Sequence, residues 1–188
     1  QVLVGGGNIE ISDNAEAQQV KDDGVTLTIQ PGTDIRGLTD GVLIVTRGSK
    51  MEANGTASAP ITFSSLDADF DGLGEWGGVI IQGFAPQFRS GNLGECFAPG
   101  DTFCNLAGEG GAGFFGGNNP ADDSGTVRYV RIAEGGTAVG VDDEVNGLTM
   151  QGVGHATQVA YVQVHNNLDD AFEWFGGTVN ARYIVATG

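Results

Sequence analysis

Three short apolar stretches constrain this chain more than any other feature. "VRYVRI" (127–132), "VAYVQV" (159–164) and "ARYIVA" (181–186) each carry a central aromatic beside β-branched residues. Tyr129 and Tyr161 are 32 residues apart, and Tyr161 and Tyr183 are 22 apart. A second track, through "NGLTMQG" and "AFEWFGG", spaces Leu148 and Phe172 by 24 residues. Periods of about 20 to 30 residues, with several strands in each, point to the coils of a β-solenoid. One coil cannot bury its apolar face alone; stacked on neighbours, it shares one core and pairs its backbone above and below. The competing arrangement is an antiparallel sandwich or barrel. Its hairpins would need Asn-Gly or Asp-Gly turns between alternating strands. Asn54-Gly55, Asp71-Gly72 and Asn146-Gly147 occur, but they are not evenly placed between strand pairs.

Between the strands the chain is punctuated by glycine, which supplies 33 of 188 residues. There is no Gly-X-Y period, so a collagen helix is excluded. With 40% hydrophobic and only 17% charged residues, the composition is that of a packed all-β chain rather than a disordered one. Helical patterning is almost absent; the best candidate, "NAEAQQVKDD" (14–23), is short and lacks an apolar stripe. Acids outnumber bases 24 to 8, for a formal charge of −16. Such a surface repels phosphate backbones, so nucleic acid is a poor partner, and it favours cations. No run approaches the ~18 apolar residues of a membrane span.

A break in the rhythm falls at 84–124, about 40 residues with little strand pattern. Loops of that length are usually functional or mobile, and this one reads as an excursion from one coil, laid on the solenoid's side. It contains both cysteines, Cys96 and Cys104. The chain starts at Gln1 with no initiator Met and no signal peptide, as in a processed secreted protein or a fragment. In an exported protein the Cys spacing reads as a local disulfide that staples the loop. Two free thiols and half a metal site are the alternatives.

The order of "GEWGGVIIQGFAP", "GEGGAGFFGG", "DDSGTVRYVRIAEGG", "NGLTMQGVG" and "DDAFEWFGGTVNARYIVATG" resembles a family of exported surface proteins and lipoproteins of Gram-negative bacteria. The resemblance covers nearly the whole chain. It implies a single right-handed parallel β-helix domain, residues 1–188, on the extracellular or outer-membrane surface. It implies no activity. Members of that family continue past the "VATG" strand, which suggests a C-terminal end left open here.

Several residue groups could carry chemistry. In "DADFDGLGE", Asp67, Asp69 and Asp71 alternate before Gly72, the first half of a Ca²⁺ loop in which alternate carboxylates converge on a hard cation. An EF-hand is excluded, because position twelve is Gly78 and no helices flank the loop. A β-helix turn holding Ca²⁺, with Glu75 as an extra ligand, remains, against a solvated acidic turn. Acidic pairs at "DDSG" (122–125), "DDE" (142–144) and "LDDAFE" (168–173) would form a carboxylate ladder if they fell at one corner of successive coils. Asp169, Asp170 and Glu173 also suit a paired-carboxylate hydrolase, although Asp and Asn serve turns through local hydrogen bonds alone. His155 and His165 lack zinc spacing, and no nucleophile elbow or phosphate loop is present. A lyase needs bases to stabilise an enolate, and only two Lys and six Arg exist. Trp76, Trp174 and Phe175 read as core plugs, whereas Phe114 and Phe115 in "GAGFFGG" are expected to be exposed and able to stack on a ligand such as a sugar ring.

Two functions follow as expectations. The first is a non-enzymatic surface protein, structural, fibre-forming or adhesive, stabilised by Ca²⁺ and binding glycans, another surface subunit or its own copies. The alternative is a polysaccharide-active enzyme on the same scaffold.

Overall fold

A computed structural model describes residues 1–67, 69–89, 92–93, 100–140 and 143–188. Its strands run in five successive coils. The first holds β1 (Val2–Val4), α1 (Asn14–Asp22), β2 (Thr26–Ile29) and β3 (Asp34–Gly37). The second holds β4 (Val42–Val45), β5 (Lys50–Asn54) and β6 (Ile61–Ser65). The third begins with β7 (Gly78–Gln82) and leaves the coil through β8 (Phe88–Arg89), β9 (Asn92–Leu93), β10 (Phe103–Ala107) and β11 (Phe114–Gly117). It returns as β12 (Gly125–Ala133), and a hairpin, β13 (Ala138–Gly140) and β14 (Asp143–Glu144), follows. The fourth is β15 (Leu148–Gln151) and β16 (Gln158–His165), and the fifth is β17 (Phe172–Phe175) and β18 (Asn180–Thr187).

All coil-to-coil pairing is parallel. One sheet has the order β1-β4-β7-β15-β17, and a second has β18-β16-β12-β5-β2 with β6 and β3 alongside. This is a parallel β-helix, and the repeat spacings are its register: Leu148 pairs Phe172, Thr126 pairs Gln158, and Gln158 pairs Asn180.

The second sheet is folded along its length. β12 pairs β5 through Gly125–Arg128 and β6 through Val130–Ile132, skipping Tyr129. Tyr129, Tyr161 and Tyr183 have φ values of 48°, 57° and 56°, a left-handed conformation that turns each long strand through a corner. The corner also resets the alternation of side chains. Val127, Val130 and Ile132 are buried, as are Val159, Val162 and Val164, so the buried positions are three and then two apart. In the first two coils the same corner is made by loops, 30–33 and 55–60.

One core runs through the coils, from Ile29 and Met51 to Val79, Met150 and Val164. The excursion lies on the outer face of the first sheet, where Ala112 and Val145 pack on Val42, Ile44 and Ile80. α1 sits where the sequence suggested a helix. Asp13 caps it by accepting from the Glu16 amide, and Ala17 joins Ile11 and Phe84 in a small satellite core. Arg47 fastens the excursion to the body. It is fully buried and donates to the carbonyls of Gly7, Ile9, Cys104 and Gly116 and to Asn105.

Candidate functional site

At the end of the second sheet the chain turns again, and stacked positions meet at one corner. Glu134 follows β12, Asn166 follows β16 and Gly188 follows β18, with φ values of 65°, 52° and 114°. The first two amides reach the next coil, Glu134 N to His165 O at 3.0 Å and Asn166 N to Thr187 O at 2.9 Å. Asn and Gly tolerate the left-handed region; Glu does so at a cost of about 1 kcal/mol. Glu134 is 0% exposed. Its Oε2 accepts from Ser65 N at 3.3 Å and lies 2.9 Å from Ser65 Oγ, while its Oε1 is buried with no hydrogen-bond partner.

Two further carboxyls point to this place. The Glu75 amide donates to Glu134 O at 2.8 Å. The next residue, Trp76, is an anchor: it stacks on Phe63 with ring centroids 6.5 Å apart and its Nε1 donates to Ala133 O at 2.7 Å. Gly37 leaves room for that indole, since a Cβ there would lie 2.6 Å from the ring. Asp67 Oδ1 lies 2.5 Å from Ser65 Oγ. Asp67, Glu75 and Glu134 thus each bring one carboxylate oxygen to within 4.8 Å of the others. A cleft of about 410 Å³, lined by Leu38, Thr39, Ser65, Asp67 and Glu75, opens beside them. A hydrogen bond from Ser65 favours the Glu75 carboxylate, but desolvation and the charges of Asp67 and Glu134 outweigh it, and its pKa is raised.

Of the four acids expected to share a cation, the structure brings together Asp67 and Glu75. Asp69 and Asp71 stand outside that group. The Asp71 amide donates to Asp69 Oδ1 at 3.3 Å, and the Asp71 pKa is raised by hydrogen bonding to Asp69 and by its charge. Glu134 was missed because its partners lie one coil away in the chain. The signal was present: "RIAEGG" and "QVHNNL" occupy the same register, and a Glu stands where the next repeat has Asn.

The second acidic group differs from expectation. Glu173 is on β17 opposite Thr149, while Asp169 and Asp170 precede the strand in an exposed turn. Asn146 Nδ2 donates to Glu173 Oε2. Burial raises the Glu173 pKa to about 7, with added push from the charge of Glu109, a hydrogen bond to it and the charge of Asp170; Asn146 opposes the shift. The partner of Glu173 is therefore Glu109 of the excursion. The acidic pairs do not form one ladder. Asp122 and Asp123 precede the second sheet, Asp169 and Asp170 precede the first, and Asp142 lies outside the described residues.

The aromatics of "GAGFFGG" need a correction. Phe115 is fully buried, edge-on to Phe175 at 6.4 Å, because β11 pairs with β10 and turns that ring inward; Phe114 is half-buried. Cys104 is buried on β10, and Cys96 lies outside the described residues.

A third feature lies at the preceding corner of the same strands. The corner tyrosines stack face to face, 4.6 Å apart from Tyr129 to Tyr161 and 4.6 Å from Tyr161 to Tyr183. Tyr161 is 39% and Tyr183 66% exposed. The Arg128 guanidinium lies 5.6 Å and 5.8 Å from the Tyr129 and Tyr161 rings, and Arg182 is in the same column two coils on. Two of the eight basic side chains of a strongly acidic chain thus line one aromatic ridge.

Residues 10–188 match the family model of a pectate-lyase-like β-helix domain, so the chain belongs to that family. No curated protein and no solved structure matches it.

Proposed function

We propose that this member of the pectate-lyase-like β-helix family is a non-catalytic, exported adhesive module whose binding face is the Tyr129–Tyr161–Tyr183 ridge. The ridge is the observation that carries the reading. A parallel β-helix holds its corners at fixed spacing, so three stacked phenols form a rigid, half-wet surface with little entropy left to lose on binding. Arg128 and Arg182 beside it select anionic partners against the −16 charge of the whole chain. Acidic polysaccharide has both features the ridge fits, sugar faces for the rings and carboxylates for the guanidinium groups. A right-handed coil is part of this reading, as the handedness rule for parallel crossovers favours it. Affinity electrophoresis in polygalacturonate should retard the wild type, and Arg128→Ala with Arg182→Ala should abolish most of the retardation. Unretarded wild-type protein removes the reading.

A polysaccharide-cleaving activity is the second reading, favoured by Glu173. A carboxyl near pKa 7 is half protonated at neutral pH, the condition for a general acid or base. Release of unsaturated or reducing ends from the same polymer, lost in Glu173→Gln, would establish it in place of adhesion.

A further inference from the structure

We infer that Asp67, Glu75 and Glu134, with Ser65 Oγ, form a Ca²⁺ site that ties the loop between β6 and β7 to the corner after β12. This rests on the corner geometry and is independent of the glycan reading.

Acids on a surface loop are by themselves a solvated turn. Glu134 is different. Its carboxyl is 0% exposed, and no basic side chain pairs with it among the described residues. Its Oε1 is buried, has no hydrogen-bond partner and belongs to the same carboxyl as the oxygen held by Ser65. A buried charged oxygen left unpartnered costs several kcal/mol unless something positive meets it. One Ser65 hydroxyl proton cannot serve both Asp67 Oδ1 at 2.5 Å and Glu134 Oε2 at 2.9 Å. The backbone adds to the case. Glu134 occupies a left-handed position that Asn166 and Gly188 fill in later coils, so a costly residue stands where a cheaper one fits.

The donor set identifies the ion. Three carboxylates and a hydroxyl are hard oxygen ligands, which exclude soft metals. Mg²⁺ demands near-ideal octahedral geometry and gives up its waters reluctantly, whereas Ca²⁺ accepts a flexible shell of protein oxygens, so three carboxylates and a hydroxyl suit Ca²⁺. The three oxygens lie within 4.8 Å of one another, near enough for one such ion to bridge them. The adjoining cleft of about 410 Å³ gives the ion access and room for the waters that complete its shell.

The test uses the chain stripped with chelator. Trp76 adjoins Glu75 and its Nε1 donates to the carbonyl of Ala133, next to Glu134, so Tb³⁺ replacing Ca²⁺ should be excited through the indole. We expect Tb³⁺ emission on tryptophan excitation, its displacement by Ca²⁺ at much lower concentration than by Mg²⁺, and a Tm rise of about 4 °C or more in millimolar Ca²⁺. Asp67→Asn and Glu134→Gln should each weaken Ca²⁺ at least tenfold. Glu134→Gln should melt no lower than wild type in chelator, since it removes the unpartnered charge, and this separates lost binding from lost folding. Asp69→Asn, outside the cluster, should bind as wild type. Absence of emission and of a Tm rise in wild type overturns the site, as does Ca²⁺ binding that both cluster variants retain.

Discussion

The early and late coils solve the same corner in different ways. In the first two, the second sheet bends through loops 30–33 and 55–60, and the outer face of the first sheet is covered by the excursion. In the last three, one left-handed Tyr makes the bend. A loop corner leaves no side chain in a fixed place, so nothing repeats in the sequence there. A one-residue corner puts the same side chain above itself at each coil spacing, and selection of a ring that stacks on itself follows. The early region is held by buried polar fastening around Arg47, the late region by a surface ladder.

Breaking the fastening should give the largest effect. Arg47→Met would orphan the carbonyls of Gly7, Ile9, Cys104 and Gly116, at a cost of about 3 kcal/mol or more. Chemical denaturation gives the magnitude. Hydrogen exchange should show protection lost across β10 and β11 and kept in β16; equal loss in both would mean that the two regions are one cooperative unit.

Next is the ladder. Tyr161→Ala removes stacking on both faces and should cost about 2 kcal/mol. Tyr183→Ala loses one face and should cost about half that. Tyr161→Gly should recover about 1 kcal/mol relative to Tyr161→Ala, because glycine adopts positive φ freely. If Ala and Gly melt alike, the corner is not under backbone strain.

Glu173 lies where the excursion meets the late coils, and its effect is on pH dependence. Its folded pKa of about 7 is above the ordinary value of 4.5, so the fold holds this proton more tightly than the unfolded chain does. The contribution is complete below about pH 4.5 and is lost as pH rises through 7. Solvent screening of this half-buried group reduces it to about 1 kcal/mol. Tm measured from pH 4.5 to 8 should fall more in wild type than in Glu173→Gln; parallel curves would deny the Glu109–Glu173 pair. The smallest effect belongs to the early corner, where Ser58→Ala in an exposed loop should change stability by less than about 0.5 kcal/mol.

Much of the fold was legible because solenoid register is a spacing along the chain. Tyr129, Tyr161 and Tyr183 recur at the offsets by which β12, β16 and β18 pair, and Leu148 recurs at Phe172. α1 and the outline of the excursion could also be read, since cap chemistry and loss of alternation are local. By itself, then, the sequence determined the class and the repeat, and its motif order pointed to a β-helix family. Tertiary structure decided which acids meet. Asp67 and Glu75 are near in sequence, but Glu134 reaches them only because β12 stacks on β6, and Glu109 reaches Glu173 only because the excursion folds back over the first sheet. It also decided that Phe115 faces inward, because pairing of β10 with β11 sets that ring's direction. Spacing within a coil is chemistry between neighbours in the chain; convergence across coils depends on which strand lies above which, and no local pattern encodes that.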